Sequence, residues 1–246
     1  MGTYSIDINA DVGEGVGNED QLLPLLSSCN IACGGHAGDI QLMNYVVNLA
    51  KINNVKIGAH PAYPDKKNFG RSVLKMSNNE LYKSLRHQIL LLSKIVNQNR
   101  AILNHVKPHG ALYNLALIEK KTASIIVDVI KSLDESLLLY APFESMLSKV
   151  AHDNGVQVIF EAFADRNYND DLTLVSRQKQ NALLTNKEAV LEHIKNIILN
   201  QKITTFSGKK ISIRAQTFCI HGDTPNALEI IKYLHENLNS LGIQIE

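Results

Sequence analysis

Apolar positions along the chain follow two periodicities that alternate. Short β-rich runs fall at about 4–11, 29–34, 55–60, 101–107, 137–141, 156–163 and 211–221, the last long enough for two short strands. Between them the spacing turns helical. Leu81, Leu85, Ile89, Leu92 and Val96 form one face behind Ser77-Asn78-Asn79-Glu80, which reads as a capping box. Thr185-Asn186-Lys187-Glu188 reads as a second, leading into Val190, Ile194, Ile197 and Ile198. Asp39 is placed to cap a helix carrying Leu42, Val46, Leu49 and Ala50. Thr224-Pro225 puts proline at a first helical position ahead of Ala227, Ile230, Ile231, Leu234 and Leu238.

Seven strand-plus-helix units over 246 residues are the pattern of a parallel sheet covered by helices. No Gly/Ser-rich linker, low-complexity tract or charge run divides the chain, so a single domain over residues 1–246, closed into a (β/α) barrel, is expected. An open doubly wound sheet shares the same alternation.

Composition narrows the partners. Hydrophobic residues make up 45% and mean hydropathy is -0.08, as in a globular chain that buries most of its apolar surface. Lys plus Arg (25) nearly cancels Asp plus Glu (24), so no general field steers the protein toward nucleic acid or anionic lipid. No apolar run approaches the length of a membrane span, and the first residues show neither a basic region nor a signal core. A cytoplasmic location is the expectation. The odd cysteine count, Cys29, Cys33 and Cys219, fits a reducing compartment and argues against a disulfide framework.

Chemistry in such barrels collects at the carboxyl ends of the strands. The period of two puts Asp7, Asn9 and Asp11 on one face of the first strand, with Gly13 and Glu14 following. The second leads through Asn30 to His36 and Asp39, and the third ends at His60. His105, Lys107 and His109 alternate on the fourth if the strand persists that far. Glu161 and Asp165 share a parity on the sixth, ahead of Arg166, and the seventh delivers His221 and Asp223. A single such residue serves equally well as a helix cap or ion-pair partner. Five of nine histidines at strand ends are harder to assign to packing.

A metal is one use for Asp and His together. Pro108 breaks any helical His105/His109 pair, and on a strand the two stand about 13 Å apart. Lys107 between them repels a cation. No metal is therefore required by the pattern, and Asp11, His36 and His60 are the ligand group if one is present. Nucleotide motifs of the G-x-x-x-x-G-K-[ST] and G-x-G-x-x-G kinds are missing; Gly13-Glu14-Gly15-Val16-Gly17 alone is a weak phosphate signal. Lys107, Arg71 and Arg166 are the cationic candidates for phosphate or carboxylate.

Seven ordered segments carry a resemblance. Asp7 to Glu14, Asn30 to Asp39, Gly58 to Asp65, Phe69-Gly70-Arg71, His105 to Asn114, Glu161 to Arg166 and His221-Gly222-Asp223 together resemble the LamB/YcsF family, the A subunits of 5-oxoprolinase. The resemblance runs from about residue 5 to the last helix. It implies a distorted seven-stranded parallel (β/α) barrel related to the polysaccharide deacetylase superfamily. It also implies ATP-dependent opening of 5-oxo-L-proline to L-glutamate, with ATP and Mg2+ as the co-substrate and with two partner subunits, B and C.

On that reading Lys107 and His109 stabilise phosphate or oxyanion charge, and Asp11 or Asp223 acts as base on the attacking water. Arg71 or Arg166 holds the substrate carboxylate, while Asn9, His36, His60, His105, Glu161 and His221 complete the binding site. Two alternatives stay open. One is a metal-dependent amide hydrolase such as a carbohydrate deacetylase; the other is a noncatalytic subunit that presents substrate to its partners.

Overall fold

A computed structural model describes residues 4–246. Residues 1–3, part of the stretch read as lacking a targeting signal, lie outside the described residues. The strands are β1 (Tyr4–Val12), β2 (Ser28–Ala32), β3 (Lys56–His60), β4 (Leu103–Val106), β5 (Leu138–Pro142), β6 (Val158–Phe163), β7 (Lys202–Thr204), β8 (Lys210–Ser212), β9 (Thr217–Cys219) and β10 (Ile243–Ile245). The helices are α1 (Glu19–Leu22), α2 (Ile40–Ile52), α3 (Asn78–Gln98), α4 (Gly110–Ala116), α5 (Lys120–Leu133), α6 (Met146–Asp153), α7 (Lys187–Asn200) and α8 (Ala227–Leu238).

Strands β1 to β6 and β9 pair in parallel, and β1 closes the ring by pairing with both β2 and β9. The open-sheet alternative is thereby excluded, and the seven-stranded barrel stands. Its first strand is long enough for two duties. Tyr4 to Ile6 pair with β10 outside the ring, while Asp7 to Val12 belong to the barrel. The last expected strand divides in two: β8 forms an antiparallel hairpin with β7, away from the ring, and only β9 enters it.

Helix starts follow their capping chemistry where the side chain reaches. Ser77 and Glu80 form both bonds of the capping box on α3, and Asp39 accepts from the Leu42 amide at the head of α2. For α7 the cap is Asn186, one residue later than expected, accepting from Ala189. Pro225 lies before the helix: Asn226 takes a left-handed conformation (φ 62°) and α8 begins at Ala227. Apolar residues facing outward from the ring, Ile8, Ala10, Ile31 and Leu139, are fully buried against the helices. No helix among the described residues is long and apolar enough to cross a membrane.

Candidate active site

Because β1 alternates, Ile8 and Ala10 face the helices and Asp7, Asn9 and Asp11 enter the barrel, where they set three successive levels. At the lowest, Asp7 accepts from the Ser28 hydroxyl (2.7 Å) and the Thr217 hydroxyl (2.6 Å). Burial pushes its carboxyl up from the usual range despite these bonds.

The middle level is a polar network. The Asn9 amide donates to Glu161 Oε1 (3.1 Å), and the Asn30 amide donates to Asn9 Oδ1 (2.8 Å) and Asp11 Oδ1 (2.9 Å). His105 Nε2 donates to Asn30 Oδ1 (2.8 Å) while its ring stacks on Tyr140 at 3.8 Å. Lys107 Nζ is clamped between Asp11 Oδ1 (3.0 Å) and Glu161 Oε1 (2.8 Å), with Cys219 Sγ at 3.1 Å. Burial opposes its charge, but the Asp11 carboxylate, Cys219 and Glu161 outweigh it and hold the ammonium charged. Tyr113 donates to the other Glu161 oxygen (2.7 Å).

Above this level the chain brings three imidazoles and a carboxylate together. Glu14 Oε1 lies 2.7 Å from His36 Nε2, 3.3 Å from His109 Nδ1 and 3.9 Å from His60 Nε2. Asp11 Oδ2 is 3.4 Å from His60 Nε2. The His36 and His109 rings stack at 3.6 Å. Gly70, with φ at +62°, is required here: a Cβ would stand 2.9 Å from His36 Cβ and 3.0 Å from His109 Cδ2. Burial lowers the His36 imidazole to about 4. Glu14 is opposed by burial too, yet its bonds to His109 and His36 keep it well below the usual carboxylate range. These are donor types that hold a transition metal.

A second arrangement follows β9, the strand beside β1. Both Asp165 oxygens lie 3.0 Å from His221 Nδ1, and Asp165 also accepts from the His221 amide and the Thr224 hydroxyl. Burial opposes ionisation of Asp165, but the His221 imidazole and these bonds win and hold it below the usual range. With Nδ1 engaged, Nε2 is the free nitrogen of His221. Asp11, Cys219 and His221 offer atoms within 4.8 Å of one another. Carboxylate, fixed imidazole and a free nitrogen make a general base oriented by an acid.

Nine of the expected residues, Asn9, Asp11, His36, His60, His105, Lys107, His109, Glu161 and His221, share this interior. His105 sits in the middle level, fully buried, where it positions Asn30 and does not reach the mouth. Asp223 is exposed on the rim, held by Arg177 (3.0 Å) and Arg71 (3.5 Å), away from the buried interior. Asp11 is a weak base, since burial is overcome by His60 and Lys107 and its carboxyl falls well below the usual range. Arg166 is buried, donates Nη2 to the Val175 carbonyl (2.6 Å) and leaves Nε unpartnered.

The candidate ligand group also changes. Glu14 joins His36 and His60 because Gly13, at φ 72°, turns the chain after β1 back over the barrel. His109 joins because β4 ends at Val106 and the chain bends, its amide still bonding Pro61 (2.9 Å), so that the ring meets His60 and not His105. Glu14 and Asp165 are the residues that strand parity undervalued. Asp165 shares the parity of Glu161, which was a usable signal; Glu14 lies in a turn, where parity says nothing.

A closed parallel barrel with its ionisable side chains gathered at one end of the strands defines an enzyme-like (β/α) barrel protein. The LamB/YcsF family model matches residues 6–246, and the chain belongs to that family. It is 39% identical to the A subunit of 5-oxoprolinase from Staphylococcus haemolyticus (strain JCSC1435) and 40% identical to that from Staphylococcus epidermidis (strain ATCC 12228 / FDA PCI 1200), each match covering 98% of both chains. Among solved structures, the lactam utilization protein from Thermus thermophilus superposes with a TM-score of 0.92 at 34% identity, covering 98% of this chain and 99% of that one. A putative cellobiose-phosphate cleavage protein from Enterococcus faecalis V583, 14% identical with a TM-score of 0.63, shares the fold.

Proposed function

We propose that this chain is the A subunit of an ATP-dependent 5-oxoprolinase, acting in the cytoplasm with B and C subunits to open 5-oxo-L-proline to L-glutamate. Similarity to 5-oxoprolinase A subunits along the whole chain supports the substrate. The Asp165–His221 pair at the mouth supports a hydrolytic step and is the observation that carries the reading.

A five-membered lactam is a stable amide, so its carbonyl needs activation. Transfer of the γ-phosphoryl of ATP, bound with Mg2+, to the lactam oxygen forms an O–P bond and releases ADP. Water then adds to the ring carbon and the C–N bond breaks, leaving the γ-acyl phosphate of glutamate. A second water releases phosphate.

His221 Nε2 takes the proton of the attacking water, and Asp165 holds the imidazole in the tautomer that leaves Nε2 free. Arg166, with its unpartnered buried Nε, and Arg71 on the rim are the groups for the substrate carboxylate or phosphate. Lys107 acts from below: with two carboxylates on it, its role is to fix Asp11 and Glu161.

The test is release of glutamate and ADP from 5-oxoproline and ATP, with the chain supplied alone, with B and C, or left out. Turnover is expected only when all three are present, and folded Asp11→Ala and Lys107→Ala variants are expected to lose it. Full turnover by B and C without this chain would refute the assignment. Glutamate release by this chain alone, without ATP, would favour the simple amide hydrolase.

A further inference from the structure

Backbone carbonyls fix one hydrogen on each of two of the three imidazoles. His60 Nδ1 faces the Lys107 carbonyl at 2.7 Å and His109 Nε2 faces the Phe69 carbonyl at 3.0 Å. A carbonyl only accepts, so both of those nitrogens carry hydrogen. The nitrogens left over, His60 Nε2 and His109 Nδ1, are 2.9 Å apart and aimed at each other. These two nitrogens have no other hydrogen-bond acceptor or donor role fixed by the backbone, and either a proton between them or a metal ion bound by both satisfies the pair. Glu14 Oε1 and His36 Nε2 complete the group, and His36 Nδ1 is buried without a partner. Three imidazole nitrogens and the Glu14 carboxylate therefore converge on one point, with Asp11 3.4 Å from His60.

We infer that Glu14, His36, His60 and His109 form a site for one divalent transition-metal ion of the zinc class. The backbone carbonyls behind His60 and His109 are the outer partners that orient metal-binding imidazoles. Distances agree with this occupant. Four donors placed tetrahedrally at zinc–nitrogen bond lengths stand about 3.3 Å from one another. The observed separations of 2.7, 2.9, 3.3 and 3.9 Å bracket that value, and all four donor atoms lie within 4.8 Å. Three nitrogens and one oxygen select zinc, cobalt or nickel over magnesium or calcium, so this ion is distinct from any Mg2+ that accompanies ATP. The ligands come from four separate segments, after β1, after β2, at the end of β3 and after β4, so the ion also ties four loops of the mouth together. Four protein donors fill a tetrahedral shell, so the ion's part is to tie the mouth together, and its binding does not depend on the proposed function.

The full chain, stripped with a chelator, is titrated with Co2+ and Zn2+ and followed by visible absorption, calorimetry and thermal unfolding. The expected result is one ion per chain, cobalt ligand-field absorption without a thiolate charge-transfer band, and a higher unfolding midpoint. Glu14→Gln and His109→Asn, shown folded by circular dichroism, should each weaken Co2+ binding at least tenfold, whereas His221→Asn should not. A folded wild-type chain that binds neither ion, with imidazole nitrogen resonances showing a proton shared by His60 and His109, would overturn the proposal. So would a thiolate band, or affinity lost in His221→Asn and kept in His109→Asn, since either moves the ion to Asp11, Cys219 and His221. No partner subunit or nucleotide enters the measurement, so it fails separately from the 5-oxoprolinase reading.

Discussion

Asp7 on β1 and Asp165 in the turn after β6 are both buried carboxylates, and their surroundings give them opposite behaviour. Asp165 accepts from the His221 ring, the His221 amide and the Thr224 hydroxyl and is held ionised; Asp7 has hydroxyls and a half-exposed Lys56 at 3.5 Å, and burial prevails. Asp165→Asn keeps the shape but can turn its amide hydrogens toward His221 Nδ1, reversing the tautomer. Turnover with B and C should fall about a hundredfold to ten-thousandfold with the fold intact, measured as kcat. A pair that only stiffened the loop would leave kcat near wild type. For Asp7 the prediction concerns pH. Its folded pKa is raised, so the unfolded chain releases the proton first. Stability is therefore highest below the ordinary carboxylate range, declines as pH rises through the raised folded value, and is flat above it. Asp7→Asn retains the Oδ1 acceptor used by Ser28 and Thr217 and should remove this part of the decline in urea titrations across mildly acidic pH. Legibility at this scale followed the same physics. Parity on β1 and β6 was enough to place Asn9, Asp11 and Glu161 inside, because a strand leaves a side chain only two directions. It could not place Glu14 or Asp223, which stand in turns where a positive φ or a rim arginine decides the direction.

Among the elements, those with a complete local signal were readable and those defined by partners were not. Helix α3 carries its start in Ser77 and Glu80 and its face in Leu81, Leu85, Ile89, Leu92 and Val96, all information within one segment. Strand β9 is three residues long and becomes a strand by bonding to β1 and β6, far away in sequence; nothing inside residues 211–221 separates it from the β8 edge of a hairpin. Strand β3 shows how tightly two elements specify each other. Gly58 is in register with His105 on β4, and a Cβ there would fall inside the imidazole. Gly58→Ala should push the ring off Asn30 and cost about 1–3 kcal/mol, read from the urea midpoint. Because His105 acts through Asn30 on Asp11, turnover should fall with it; an alanine variant of unchanged stability and turnover would mean that the ring is free to move aside.

At the scale of the molecule, closure of the ring and support of its first strand are separate jobs. Residues 7–12 of β1 take part in the barrel with β2 and β9, while residues 4–6 touch the sheet only through β10, which follows α8 at the far end of the chain. The fully buried Ile243 is the apolar anchor of that outer pairing. The polar interior begins at Asp7, so β10 contributes nothing to the mouth. Ile243→Ala should therefore lower stability by about 2–5 kcal/mol, from lost burial and the cavity left behind. Turnover per folded molecule and affinity for Co2+ should stay at wild-type values at temperatures where the variant is folded. Calorimetric unfolding gives the first quantity and the cobalt titration the last. A loss of cobalt affinity in step with stability would mean that the outer strand and the four ligand loops unfold as one unit, and that closure of the ring by β9 is too weak to hold the site alone.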